Sequence, residues 1–329
     1  MGCLLGDPQW VEKTFGEAIE RQYRENSWFT PAFCRYALDA IATMLAPEAL
    51  DSYQSRYQDD APSEDPRRTV AVISAGNIPL AAFHDFFCIL ASGNDYQGKL
   101  SSQDKRLLPV LAQELVRIEP RFAERISFVE KVADFDAVIA TGSNNSARYF
   151  DYYFSKYPHI LRKNRNSVAV LNGGENEEEL RRLADDIYLY FGLGCRSVSK
   201  LFVPEGYDFV PFLRILTQQS QPISQHHQFN NNLEYQKAVH LMNKLFYMDA
   251  GTFLLTENQN YASPIGMVYY EYYNDIEKVN RRLEEDAEQL QCIVSRDPRI
   301  THAEPFGSAQ SPTLSDYPDG IDTLRFLWS

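Results

Sequence analysis

Over residues 1 to about 60 the apolar side chains recur three to four positions apart, as at Phe33, Tyr36, Ala37, Ile41 and Leu45. That spacing predicts helices with one buried face. The stretch DDAPSEDPRR (59–68) is acidic, carries two prolines and reads as an exposed linker. Beyond it the pattern changes to short β-branched runs separated by amphipathic stretches. TVAVIS predicts a buried strand, Pro79 opens a helix through LAAFHDFFCIL, and YQGKL predicts a second strand. KRLLPVLAQEL predicts a second helix with Pro109 in its first turn or kinking it. DAVIAT and SVAVL predict further strands, separated by the helical NSARYFDYYFSKY. This is the βαβ alternation of a doubly wound parallel sheet.

A new cycle begins near residue 172. ENEEELRRLADDIYLYF predicts a helix whose acidic first turn suits the positive end of its dipole. Leu180, Leu183 and Ile187 form its apolar stripe, and Gly192 and Gly194 end it. SKLFVP is the strand that follows. A long helix near 230–247, strands near 252–256, 265–271 and 290–294, and a last apolar run, LRFLW, complete the chain. The expected division is a helical segment over 1–65, a nucleotide-binding domain over 66–171 and a catalytic domain over 172–329.

Composition narrows the function. A chain of 329 residues is long enough for two packed domains. Its net charge of −13, from 45 acidic against 32 basic residues, repels nucleic acid and anionic lipid, and no basic patch offsets it. The longest apolar stretch, VAVISAGNIPLAAFHDFFCILASG, contains Asn77, His84 and Asp85, so no membrane span is expected. The apolar run in MGCLLGDPQW is too short for a signal peptide, and Gly6 breaks the myristoylation pattern. A cytoplasmic protein is expected. Five cysteines, an odd number with no CxxC, argue against a disulfide framework or a structural zinc site, so no metal is expected and the thiols are expected to be reduced.

Four segments carry candidate chemistry. In YFGLGCRSVSKLFVP, Cys195 lies between a glycine-rich bend and a strand, with Arg196 beside it to favour a thiolate. A buried, space-filling thiol is the alternative, and the nearby His226 and His227 read as surface residues. SAGNIP (74–79) is a strand end that brings Asn77 to the edge where open sheets bind ligands, with an amide to offer an oxyanion. ATGSNNSARYF (140–150) joins strand to helix through Thr141, Gly142 and Ser143, an anion-binding arrangement without GxGxxG. Lys99 and Ser101, in GKLSS, end another strand and suit a ribose or a phosphate. VLNGGEN (170–176) runs a strand into Gly173-Gly174, which on its own is a tight turn.

Taken in order, GNIP, the strand-end lysine, TGS, the Gly-Gly strand and GxxC before a strand ending in VP resemble the aldehyde dehydrogenase superfamily. Within it, YFGLGCRSVSKLFVPEGYDF and PFGSAQSPTLSDYPDGIDTLRFL are most similar to LuxC-type fatty acyl-CoA reductases, over roughly residues 66–327. The resemblance implies a Rossmann-like nucleotide-binding domain and an α/β catalytic domain. It implies Cys195 as nucleophile, Asn77 as oxyanion donor, and Lys99, Ser101, Thr141, Gly142, Ser143 and Gly173 as cofactor-binding residues. The implied reaction reduces an acyl-CoA thioester to an aldehyde with a nicotinamide cofactor. NADPH is favoured over NADH because GKLSSQ offers phosphate partners and no acid before Asp104.

Two positions depart from the pattern. Where hydrolytic relatives carry a glutamate just before the Gly-Gly pair, this chain has Asn172. Where they carry Glu-x-Phe-Gly-Pro, it has NYASPIGMV, with Asn260 in place of the acid. The first departure favours acyl-CoA reduction over aldehyde oxidation. A cysteine acyltransferase or hydrolase without redox chemistry is the reading from another class, and a non-catalytic binding subunit is a third. The expected partners are acyl-CoA and, among proteins, a second copy of the chain or an acyl-transfer enzyme.

Overall fold

Fully buried parallel strands carry no polar face, which is why they read as β-branched runs. In the computed structural model those runs assemble into two sheets, each in its own compact unit. The structure describes residues 1–58, 60, 67–142, 144–219 and 223–329, with 144–148 through their backbone only. Most of the 59–68 linker and Ser143 lie outside the described residues.

The first unit comprises residues 1–164 and 312–329. It opens with four helices, α1 (Gly2–Leu5), α2 (Pro8–Glu25), α3 (Pro31–Met44) and α4 (Pro47–Ser55). The last three each begin with proline, whose missing N–H costs nothing in a first turn. Then follow β1 (Thr69–Ile73), α5 (Phe83–Ala91), β2 (Asp95–Lys99), α6 (Leu107–Ile118), β3 (Ile126–Phe128), β4 (Ala137–Thr141), α7 (Asn144–Phe154) and β5 (His159–Arg162). The strands form one sheet in the order β3-β2-β1-β4-β5, all parallel, as expected of a Rossmann-like unit. The order reverses between β1 and β4, the point where such sheets bind ligands.

The second unit comprises residues 165–311. Its elements are β6 (Asn166–Val170), α8 (Glu177–Tyr188), β7 (Val198–Pro204), α9 (Val210–Gln218), α10 (His227–Asn243), β8 (Met248–Asp249), β9 (Leu254–Glu257), β10 (Met267–Tyr273), α11 (Ile276–Glu285) and β11 (Leu290–Ser295). Its sheet runs β11-β6-β7-β10-β9-β8, parallel except for the short β8. Helix α8 carries a full capping box between Asn176 and Glu179. The apolar run LRFLW is a helix, α12 (Thr323–Trp328), and it belongs to the first unit.

The chain divides at Asn164/Arg165, seven residues before the boundary drawn from sequence, so SVAVL (β6) pairs in the second sheet. The N-terminal helices are part of the first unit. Residues 312–329 return to it through buried polar contacts: Arg162 donates to Asp85 at 2.6 Å and to Thr323 Oγ1 at 3.0 Å, and His84 Nε2 lies 3.0 Å from the Leu314 carbonyl. Among the described residues no helix is long and apolar enough to cross a membrane.

Candidate active site

The first unit brings three of the singled-out segments to the carboxyl edge of its sheet. The loop after β1 is held by the loop after β2. Ser74 N donates to the Lys99 carbonyl at 3.1 Å, and Leu80 N donates to the Asp104 carboxyl at 2.8 Å. Between them Gly76 packs on Ser101 so closely that a Cβ there would stand 2.2 Å from the serine hydroxyl. A side chain at 76 would push the two loops apart. The result is an exposed Asn77 over a fixed backbone, with exposed Lys99 and half-buried Ser101 on the neighbouring loop. Helix α5 starts at Phe83 rather than Pro79, because Leu80 takes a left-handed φ of 58° to reach Asp104. Burial raises the Asp104 carboxyl to about 6. Across the switch point, Thr141 ends β4 and Gly142 N donates to the Arg162 carbonyl at 3.2 Å.

Sequence reading gave the N-terminal helices no part in this. Gln22 on α2 and Asn26, which follows its last residue, donate to the Gln103 carbonyl at 2.7 and 3.2 Å, and Gln22 Oε1 accepts from the N–H groups of Lys105 and Arg106. The signal was present as two amides on a stripe of otherwise apolar buried positions.

The second unit presents Cys195 at the amino edge of its sheet, three residues before β7. Cys3 and Cys195 are the exposed thiols; Cys34, Cys88 and Cys292 are buried. Burial raises the Cys34 and Cys88 thiols to about 12 and raises the Cys292 thiol as well. Before Cys195 the chain turns through three consecutive left-handed residues, Tyr190 (φ 54°), Phe191 (φ 57°) and Gly192 (φ 75°). Two of these are aromatic residues in a conformation that costs each of them about 1 kcal/mol or more. Their side chains are buried, and Phe191 stacks on His226 with ring centroids 4.4 Å apart. The Cys195 carbonyl accepts from Ser167 Oγ at 2.9 Å, and the residue is exposed.

Two expectations change here, those for Asn172 and for Arg196. Asn172 and Gly173 stand at the opposite edge of the sheet from Cys195. In the parallel register Ser167 pairs with Val198 and Val170 with Phe202, so the Gly-Gly turn lies by Pro204, about five strand residues or 16 Å beyond Ser167. The Asn172 amide bonds its own turn at Gly174 N and reaches Asp297, so it is a turn residue and bears no relation to the thiol. Gly173 lies in the second unit, whereas Lys99, Ser101, Thr141 and Gly142 lie in the first. Arg196 turns inward: it is buried, donates to both Glu304 oxygens at 2.7 and 2.9 Å, and its Nε donates to the Ala309 carbonyl. His226 caps α10, its Nδ1 accepting from Phe229 N at 3.2 Å. Ser143 lies outside the described residues.

A family model described as acyl-CoA reductase (LuxC) matches residues 37–294. The chain belongs to the acyl-CoA reductase family. It is therefore an oxidoreductase of the acyl-CoA reductase class. Solved structures of aldehyde dehydrogenases share the fold of this LuxC family member. HpcC of Thermus thermophilus is 14% identical, with a TM-score of 0.62 over 91% of this chain and 70% of its own. An NAD-dependent benzaldehyde dehydrogenase of Corynebacterium glutamicum is 15% identical, with a TM-score of 0.60 over 87% and 73%. The indole-3-acetaldehyde dehydrogenase AldA of P. syringae, solved with NAD+ and IAA, is 15% identical, with a TM-score of 0.61 over 90% and 71%. A search of curated protein sequences finds no match.

On α8, burial raises the Asp186 carboxyl to about 7, against the pull of two backbone N–H groups that favour the charged form. A carboxyl whose folded pKa lies above its unfolded value stabilises most below pH 4, and that contribution is lost as pH rises through 7. Asp186→Asn does not titrate. The gap in unfolding midpoint between wild type and this variant should narrow from pH 5 to pH 8; a constant gap would contradict the raised carboxyl.

Proposed function

We propose that this chain reduces a fatty acyl-CoA to the aldehyde through an acyl-enzyme on Cys195. What carries the reading is the presentation of Cys195: an exposed thiol on a backbone fixed from both sides, in a member of the acyl-CoA reductase family. The thiolate attacks the thioester carbonyl, the Asn77 amide and a backbone N–H hold the oxyanion, and coenzyme A leaves as its thiolate, which takes a proton from solvent.

The first unit fits a nicotinamide dinucleotide. Its strand order has a switch point, and the close Gly76–Ser101 contact holds the loops after β1 and β2 together at the carboxyl edge of the sheet. Lys99 and Ser101 would hold the adenosine ribose or its phosphate, with Thr141 and Gly142 on the pyrophosphate side. When bound, the nicotinamide supplies the hydride that takes the acyl carbon to the aldehyde level. The protein's part is to keep the thioester and its oxyanion donors fixed. The cationic and hydroxyl groups after β2 support a preference for NADPH.

Mixing the protein with a long-chain acyl-CoA and NADPH should oxidise the nicotinamide in step with aldehyde formation. Dissociation constants should be lower for NADPH than for NADH, and the reverse would remove the cofactor preference. Free fatty acid released with no nicotinamide oxidised would make the chain a hydrolase instead.

A further inference from the structure

Segment 304–310 is tied at one side to α8 and at the other to the residues that follow Cys195. On the α8 side, Asp186 accepts Gly307 N on one carboxyl oxygen at 2.7 Å and Ala309 N on the other at 3.1 Å. Asp186 is buried, and Gly307 sits at a φ of 88° with no room for a Cβ against Arg182. On the other side, the Ala309 carbonyl accepts from Arg196 Nε, the Glu304 carboxylate takes Arg196 Nη2, and Gln310 Nε2 donates to Ser197 Oγ at 3.0 Å. The two residues after Cys195 are thus gripped by a segment whose own backbone is gripped by Asp186. Ser167 and the left-handed run hold the residues on and before it.

We infer that Asp186 is a positioning residue for Cys195, acting through segment 304–310 and Arg196; this rests on Cys195 being the thiol that accepts the acyl group. A carboxyl is the group the arrangement needs, because each of its two oxygens takes one backbone N–H. An amide offers one oxygen and turns an NH2 against the second N–H. Arg196 is suited because its planar guanidinium serves two partners at once, Nη2 on the Glu304 carboxylate and Nε on the Ala309 carbonyl, a fixed pair of directions that a lysine ammonium does not offer. A carboxyl that merely tied down a loop would affect stability and leave the thiol's reactivity alone.

The chain carries its own controls for separating those roles: Cys3 is a second exposed thiol, and three others are buried. The test follows acylation of Cys195 by a long-chain acyl-CoA without reductant, and alkylation of every cysteine by iodoacetamide, by peptide mass spectrometry. In Asp186→Asn, Cys195 acylation should slow by about 10-fold or more, a modest misplacement by the standards of positioned groups. Cys3 should alkylate at the wild-type rate, and Cys34, Cys88 and Cys292 should stay protected. Combining Asp186→Asn with Arg196→Lys should be no slower than the slower single variant, as expected of members of one brace.

An unchanged Cys195 rate in Asp186→Asn overturns the inference. If that variant exposes the buried thiols, Glu304→Gln at the half-exposed end of the segment takes its place, and an unaltered rate there overturns it equally. A wild-type chain that takes up no acyl group at Cys195 strikes the assignment of the thiol itself and leaves Asp186 aside.

Discussion

Cys195→Ser should lose acyl-CoA reductase turnover by about 10⁴-fold or more, the scale seen when a covalent nucleophile is removed. A serine hydroxyl at neutral pH is almost wholly protonated and attacks a thioester poorly without a base to activate it. The loss should be chemical and not conformational. Cys195 is exposed, and the hydrogen bond from Ser167 Oγ to its backbone carbonyl is one that serine leaves intact. Unfolding midpoints and cofactor affinity should match wild type. The buried thiols cannot substitute, since burial holds Cys34, Cys88 and Cys292 far towards the unreactive protonated form. Cys3 is exposed but sits in the other unit, on the short first helix. Turnover within 10-fold of wild type in Cys195→Ser would move the chemistry elsewhere.

Asn77→Ala should slow reduction by about 100-fold or more, the usual effect of removing one oxyanion donor. The loop that carries Asn77 is held by the residues around it. Ser74 is bonded to Lys99, Gly76 rests on Ser101, and Leu80 is bonded to Asp104. An alanine there should therefore fold and bind cofactor as wild type does, and its deficit should appear in the acylation step. A folded Asn77→Ala with full acylation rate would return Asn77 to the role of a loop residue.

The alternation of strands and helices was legible because a strand buried on both faces has nowhere to put a polar residue. Which sheet a strand joins is a different matter. SVAVL looks like any other β6 candidate in sequence, and only its pairing with β7 and β11 assigns it to the second unit. The same ambiguity misplaced Asn172: a Gly-Gly pair announces a turn but not the end of the sheet on which the turn falls.

Cys195 was legible as a candidate from its bend, yet the cause of that bend was not. Two of the three left-handed residues before it are Tyr190 and Phe191, which no local rule would place there. Tertiary burial of their rings holds them. Asp186 was equally hidden. It adjoins Asp185, and both read as polar positions at the end of an amphipathic helix, but Asp185 is exposed and Asp186 is buried against segment 304–310. The PFGSAQSPTLSDYPDGIDTLRFL stretch carried a family resemblance without a physical reason. Its first part braces the residues after Cys195, and its remainder packs α12 into the first unit.

The central claim is a covalent acyl group on Cys195 that accepts hydride. Protein incubated with a long-chain acyl-CoA and freed of excess substrate should gain the mass of one acyl group, mapped to the Cys195 peptide. NADPH added to that isolated species should remove the adduct and yield one equivalent of aldehyde. An adduct on Cys3 or a buried cysteine, or one that NADPH leaves in place while bulk acyl-CoA is still reduced, would contradict the account.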